Sequence, residues 1–297
     1  MFNIAVDQNK VPDVPYERSA GYWENVGRRL LRDPVAMAAG AVILFLLILA
    51  VFGQWLAPYD PYDGSIMTRL KPIGFEGHPL GTDELGRDML SRLIVGAKLS
   101  LFMGITPVII AFLIGSCIGI VAGYTGGWVN SVIMRTIDIF YAFPSVLLAI
   151  ALSGVLGAGI TNSLISLTVV FIPPIARVAE SVTTQIRGRD FVEAARASGA
   201  HAWTIVRVHV LGNVLGPIFV YATSLIAVSM ILASGLSFLG LGVKPPEPEW
   251  GLMLNTLRTA IYVQPWIAAL PGVMIFATSI AFNMLSDGLR TAMEIKD

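Results

Sequence analysis

From Val35 to Leu56 the chain runs without a charged residue and almost without a polar one. A helix needs about 20 apolar residues to cross about 30 Å of hydrocarbon, because each residue adds about 1.5 Å of rise. The stretch therefore reads as a first membrane span, residues 35–56. Arg32-Asp33-Pro34 precede it, and Gln54-Trp55 stand near its end, where an amphipathic indole suits the interface between lipid and water. The whole chain agrees with that reading: 55% of its 297 residues are hydrophobic and only 13% are charged, against roughly 25% charged in soluble domains. Twenty basic and twenty acidic residues cancel, so there is no basic field of the kind that nucleic-acid binding requires.

Further apolar stretches are cut by turn-forming residues rather than by charge. The sequence predicts spans at Leu99 to about Gly123, about Val132 to Leu156, Ile160 to Ala176, Val214 to Leu241 and about Trp266 to Ser286. The run Gly123-Tyr-Thr-Gly-Gly-Trp-Val-Asn130 makes one break, and Gly154, Gly157, Gly159 and Asn162 make another. The expected fold is an all-α integral membrane protein with six transmembrane helices, which puts both termini on one side. Of the twenty basic residues, Arg69, Lys71, Arg87, Arg92, Lys98, Lys244 and Arg258 fall in the outer segments, and the other thirteen, Lys10, Arg18 and Lys296 among them, fall inside. That asymmetry places both termini in the cytoplasm. Residues 1–34, polar and without the early apolar core of a signal peptide, are expected to stay on as a cytoplasmic segment.

Some polar and small residues lie at membrane depth or near it. Arg135 and Asp138 are three apart on one helix face and are expected to pair at the membrane edge. Pro107, Pro144, Pro173, Pro174, Pro217 and Pro271 free backbone groups that packed neighbours or water must satisfy. Gly115, Gly119 and Gly123 form a small-residue stripe suited to close helix packing. The one cysteine, Cys117, supports neither a disulfide nor a cysteine-rich metal site within the chain.

Two segments are helical in pattern without being spans. In residues 57–98, the predicted periplasmic loop, Thr82 is placed to cap a helix with Asp83 and Glu84 in its first turn. Leu85, Met89, Leu90, Leu93, Ile94 and Ala97 then recur on one face, which predicts an interfacial amphipathic helix before the second span. In the inner loop, residues 177–213, Asp190 and Glu193 make a capping-box-like start and Gly199 a natural stop. A second helix from about His201 sets Trp203, Val206 and Val210 on one side. The pair forms an elbow that a partner protein could grip.

Glu193-Ala-Ala-Arg-Ala-Ser-Gly199, with Leu211 beyond it, resembles the EAA motif of permeases in ATP-binding-cassette importers. The segment from His78 to Leu101, the 177–213 loop and Leu239-Gly-Leu-Gly-Val-Lys-Pro-Pro-Glu-Pro-Glu-Trp-Gly251 look like the second permease of dipeptide, oligopeptide and nickel transporters. The family motif ends Leu-Pro-Asn, whereas this chain has Leu211-Gly-Asn213, which leaves the entry angle of the fifth span open. The resemblance implies a permease core over 99–297 and a location in a bacterial inner membrane. It implies that Arg189, Asp190, Glu193, Ala194, Ala195, Gly199 and Ala200 couple to ATPase subunits, and that Pro245, Pro246, Glu247 and Trp250 form a docking rim for a binding protein. The partners it implies are a second homologous permease, two ATP-binding-cassette ATPases and a periplasmic or lipid-anchored substrate-binding protein. This subunit would then form half of a pathway for peptides or related small solutes. The chain has no Gly-x-x-x-x-Gly-Lys-Ser/Thr phosphate loop, so ATP and Mg are expected in the ATPases and no cofactor is expected here. The alternative is a secondary transporter or channel subunit not driven by ATP, which usually shows inverted repeats and mid-bilayer charges. An intramembrane enzyme is disfavoured because His78, His201 and His209 are scattered over loops and helix ends without ligand spacing.

Overall fold

The computed structural model describes residues 22–294, so Lys10, Arg18 and Lys296 of the charge count lie outside the described residues. Helix α1 (Tyr22–Leu30) leads to α2 (Pro34–Leu56), whose start is fixed twice. Pro34 occupies the first turn, and the Asp33 carboxylate accepts from the backbone N–H groups of Val35 and Ala36 at 2.9 and 3.2 Å. α3 (Met89–Thr125), α4 (Gly127–Tyr141), α5 (Ser145–Leu156) and α6 (Ile160–Arg187) follow. The short α7 (Asp190–Ala197) and α8 (Ala202–Ile205) precede α9 (Leu211–Phe238), and α10 (Trp250–Thr256) and α11 (Pro265–Met293) complete the order. Arg29 Nη1 donates to the Glu294 carbonyl at 2.9 Å, so the two described ends share one face, the terminal face.

Among the described residues five helices are long and apolar enough to cross a membrane, and α4 with α5, bent by 85°, makes six when the pair is counted as one span. The predicted third span is thus broken at Ala142-Phe143-Pro144, where proline cannot continue α4 and its predecessor is pushed out of helical geometry. The amphipathic stretch before the second span is helical from Met89, but as the first turns of the 37-residue α3 rather than as a separate helix. Its cap is Asp88, which accepts from the Ser91 N–H at 2.7 Å. Thr82 instead holds the loop, accepting from the Lys71 N–H at 2.9 Å.

α3 is the centre of the bundle, flanked by α6, α9 and α2. The glycine stripe is what lets α6 approach. An added Cβ would sit 3.0 Å from the Ile172 carbonyl at Gly115, would collide with the Ala176 carbonyl at Gly119, and would sit 2.7 Å from the Glu180 carbonyl at Gly123. α2 buries only Ala36, Ala39, Ile43, Leu46, Leu49 and Gly53, a single stripe, and turns its remaining apolar side chains outward. In water such a helix would aggregate; in lipid it is at home.

Candidate coupling and docking sites

The elbow on the terminal face is built from its two ends. Arg187 Nη1 donates to the carbonyls of Gly123 and Tyr124, both at 3.3 Å, which ties the end of α6 to the end of α3. The chain then turns at Gly188, and the Arg189 carbonyl accepts from the N–H groups of Val192 and Glu193 at 2.9 and 3.1 Å. Arg189, with no side-chain bond, is therefore the N-cap of α7, and the expected capping box on Asp190 is not formed. Asp190 and Glu193 lie inside the first turn, where the helix dipole favours negative charge.

α7 ends on Gly199, whose φ of +78° is open to glycine and strained for a β-branched residue. The Gly199 N–H bonds the Arg196 carbonyl at 3.0 Å and the Ala200 N–H bonds the Ala195 carbonyl at 3.1 Å, the paired closure of a Schellman turn. Val192 is the one fully buried residue of α7, and Ala195 and Ala200 pack partly on the same core. Arg189, Asp190, Glu193, Ala194 and Gly199 are exposed. The predicted coupling residues thus divide into an anchoring side, Ala195 and Ala200, and an outward side formed by the rest.

Beyond Gly199, α8 runs through a π-helical turn at Val206–Val210 into α9, so the second arm of the elbow and the fifth span are one continuous helical path. The extra residue in that turn rotates the face. Val210 is fully buried whereas Trp203, expected on the same side, is 66% exposed. Val208 is exposed as well, and with Phe191 it adds apolar surface to the outward side that the pattern of the sequence did not single out. At the Leu211-Gly-Asn213 departure the π turn leads directly into α9, and Asn213 Nδ2 donates back to the His209 carbonyl at 2.7 Å.

The opposite face carries a platform of residues 57–88 clamped by buried charge. Asp83, Arg87, Asp88 and Arg92 are all buried. Arg87 Nε donates to Asp83 Oδ2 at 2.6 Å, Arg92 Nε lies 3.2 Å from the same oxygen, and His78 Nδ1 is 3.0 Å from Asp88 Oδ1. Arg92 Nη1 also donates to the Pro61 carbonyl at 2.8 Å and the Pro246 carbonyl at 3.4 Å, joining the platform to the proline-rich loop. Tyr62 adds a second link, its hydroxyl donating to Glu247 Oε2 at 3.0 Å, and burial beside that carboxylate pushes the phenol pKa up.

Of the expected docking residues, Pro245 and Pro246 are exposed and Glu247 is half-buried. Trp250 is a correction: it is fully buried, its Nε1 donating to the Leu93 carbonyl at 3.0 Å. Its indole fixes α10 against α3 and cannot meet a partner. Glu249, also buried, caps α10 by accepting from the N–H groups of Gly251 and Leu252, each at 2.8 Å. Burial raises its pKa and those donors oppose the rise.

Asp138 is a second correction. It pairs with Arg177 of α6 and not with Arg135, because the face of α4 that carries Asp138 turns toward α6. Among the described residues no group of three His, Cys, Asp or Glu side chains is placed to hold a metal ion.

Residues 115–295 match the family described as the inner membrane component of binding-protein-dependent transport systems, and residues 21–72 match the N-terminal transmembrane domain of oligopeptide transport permease C. The chain belongs to this permease family. The first match runs from within α3 through α11, and the second covers α1, α2 and the start of the platform. The permease is 41% identical over 274 residues to the glutathione transport system permease protein GsiD of Pectobacterium atrosepticum, covering 92% of this chain and 91% of that protein. It is 41% identical over 288 residues to GsiD of Shigella sonnei, covering 97% and 95%. Among solved structures, the inward-facing MetNI methionine ABC transporter in its CY5 native crystal form aligns with a TM-score of 0.56 at 21% identity, over 69% of this chain and 97% of that one. That likeness extends the fold assignment to the bundle geometry. Membership makes the chain a permease subunit of an ATP-binding-cassette importer, and the secondary-transporter alternative is set aside.

Proposed function

We propose that this permease forms half of an inward pathway for peptides or glutathione-like solutes, beside a second homologous permease in a bacterial inner membrane. In this reading the terminal face is cytoplasmic. Two ATPase subunits dock on the outward side of α7 through Arg189, Asp190, Glu193, Ala194 and Gly199, with Ala195 and Ala200 anchoring the helix. A periplasmic or lipid-anchored binding protein meets Pro245, Pro246 and Glu247 on the opposite face. The chain itself is non-catalytic; ATP and Mg belong to the ATPases. The solute class is supported by the near full-length similarity to the GsiD permeases.

The observation that carries the reading is the elbow. A helix of 8 residues is held to the bundle by one buried valine and a closed glycine turn, and after that turn α8 and the π turn run unbroken into α9. Force applied at α7 is therefore delivered to a span, the behaviour a rigid lever requires. Gly199→Val strains that turn. The expected outcome is a complex that assembles but loses stimulation of ATP hydrolysis by the loaded binding protein, measured in reconstituted vesicles. Normal coupled transport in that variant would refute the lever.

A further inference from the structure

Arg177 is 17 residues along α6 from Ile160, about 26 Å at 1.5 Å per residue. Ile160 belongs to the opposite face, since the preceding Gly159 bonds the Leu241 carbonyl of the outer loop. With a hydrocarbon core of about 30 Å, the Arg177–Asp138 pair therefore lies inside the membrane, toward its cytoplasmic edge. Each partner keeps 47% of its side chain exposed. A half-exposed ion pair turned to lipid is expensive, so such pairs face a water-filled passage or another protein surface.

The pair stands beside the break between α4 and α5. That break opens a cavity of about 260 Å³ walled by Phe140, Tyr141, Phe143, Pro173, Pro174 and Tyr221. Arg177 lies over the Tyr141 ring at 5.7 Å, so one aromatic side chain both walls the cavity and carries the guanidinium. Tyr221 also lines a second cavity, of about 410 Å³, that contains Asp287 and Arg290 and lies nearer the terminal face. The two cavities thus share Tyr221; the first has the Arg177–Asp138 pair beside it through Tyr141, and the second carries Asp287 and Arg290 in its own wall.

We propose that Asp138 and Arg177 are the charged station of the solute passage in this subunit, built for a zwitterion with a free ammonium and a free carboxylate. The solute carboxylate meets the Arg177 guanidinium, which can hold it in a two-pronged contact. The ammonium meets Asp138, and the solute's side chains occupy the aromatic and prolyl cavity. Before arrival the two protein charges neutralise one another; after it each has a solute charge instead, so no charge at membrane depth is left unpaired. Tyr221 borders both the station's cavity and the one that holds Asp287 and Arg290, where both charges are again accommodated. This inference rests on the peptide reading above.

The test uses the complete transporter, with partner permease, ATPases and binding protein, in proteoliposomes supplied with tri-alanine or glutathione. Arg177→Gln and Asp138→Asn should each lower ATP-driven uptake at least ten-fold, while stimulation of ATP hydrolysis by the loaded binding protein stays within two-fold of wild type. The charge exchange Asp138→Arg with Arg177→Asp should leave uptake low. Restored uptake in the exchange variant, unchanged uptake in the single variants, or ATP hydrolysis falling in parallel with uptake each overturn the station. Wild-type vesicles that import neither probe overturn the peptide reading and the station with it. Should the single variants fail to assemble, Phe143→Cys in a Cys117→Ser background decides. A charged, water-borne thiol reagent should modify that cysteine and block uptake, and an unreactive thiol there overturns the proposal.

Discussion

Arg92 connects three pieces of chain that are distant in sequence: Asp83 by charge, Pro61 and Pro246 by donated hydrogen bonds. Replacing it with leucine leaves Asp83 buried with Arg87 as its one cationic partner and leaves the proline-rich loop without its Pro246 link to Arg92. Breaking a buried pair from one side is strongly destabilising, and the expected loss is about 3 kcal/mol, read as a lower unfolding midpoint of the purified permease in detergent. Glu249 supplies a pH signature on the same face. Its carboxyl pKa stands above the ordinary 4.5 when folded, so the proton is held more tightly in the folded state. The resulting stability is fully present below pH 4.5 and fades as pH rises through the folded value. Glu249→Gln should flatten that dependence and lower stability by about 1 kcal/mol, because one of two cap bonds is lost. Little of this was legible beforehand. Trp250 and Glu249 sit in a proline-rich stretch that reads the same whether it is exposed or buried, and burial is decided by Leu93 and Ser100, some 150 residues away.

The elements were far more legible, because hydropathy and turn residues mark spans directly. The glycine stripe was read as a packing face, and the structure gives it a partner, the row Ile172, Ala176 and Glu180 of α6. Gly119→Ala should therefore destabilise the bundle by about 1–3 kcal/mol through overpacking. Gly40→Ala, in α2, should be neutral, since an added Cβ there meets nothing within 4 Å. Thermal unfolding of the two variants side by side checks the pair. What the pattern did not reveal were the ends and breaks. α3, α6 and α11 run beyond their apolar cores because polar residues such as Glu180 and Arg290 continue a helix as readily as leucine does. The π turn at Val206–Val210 has no glycine or proline to announce it. The break in the third span was marked by Pro144, but Pro107, Pro217 and Pro271 lie inside unbroken helices, so proline alone did not locate it.

At the scale of the whole molecule, the placement of basic residues decides which face lies in the cytoplasm. The Arg29 to Glu294 bond puts α1 and the end of α11 on one face, which agrees with six spans, α4 and α5 counted as one. Orientation is set chiefly by basic residues close to the span ends, and the first span usually dominates. Arg28, Arg29 and Arg32 immediately precede α2, whereas past its end at Leu56 the first basic residue is Arg69. The first outer loop does hold several basic residues, but they stand farther along the chain, and Arg87 and Arg92 find their carboxylate partner only once the platform has folded. The bias at α2 should therefore win, with the terminal face inside. Two exposed side chains report on it: Ile66, 87% exposed on the platform, and Trp203, 66% exposed on the elbow. In a Cys117→Ser background, Ile66→Cys should react with a membrane-impermeant thiol reagent in spheroplasts while Trp203→Cys stays unlabelled until the membrane is opened. The reverse pattern would put the elbow on the side where no ATP is available, and a lever there could drive nothing.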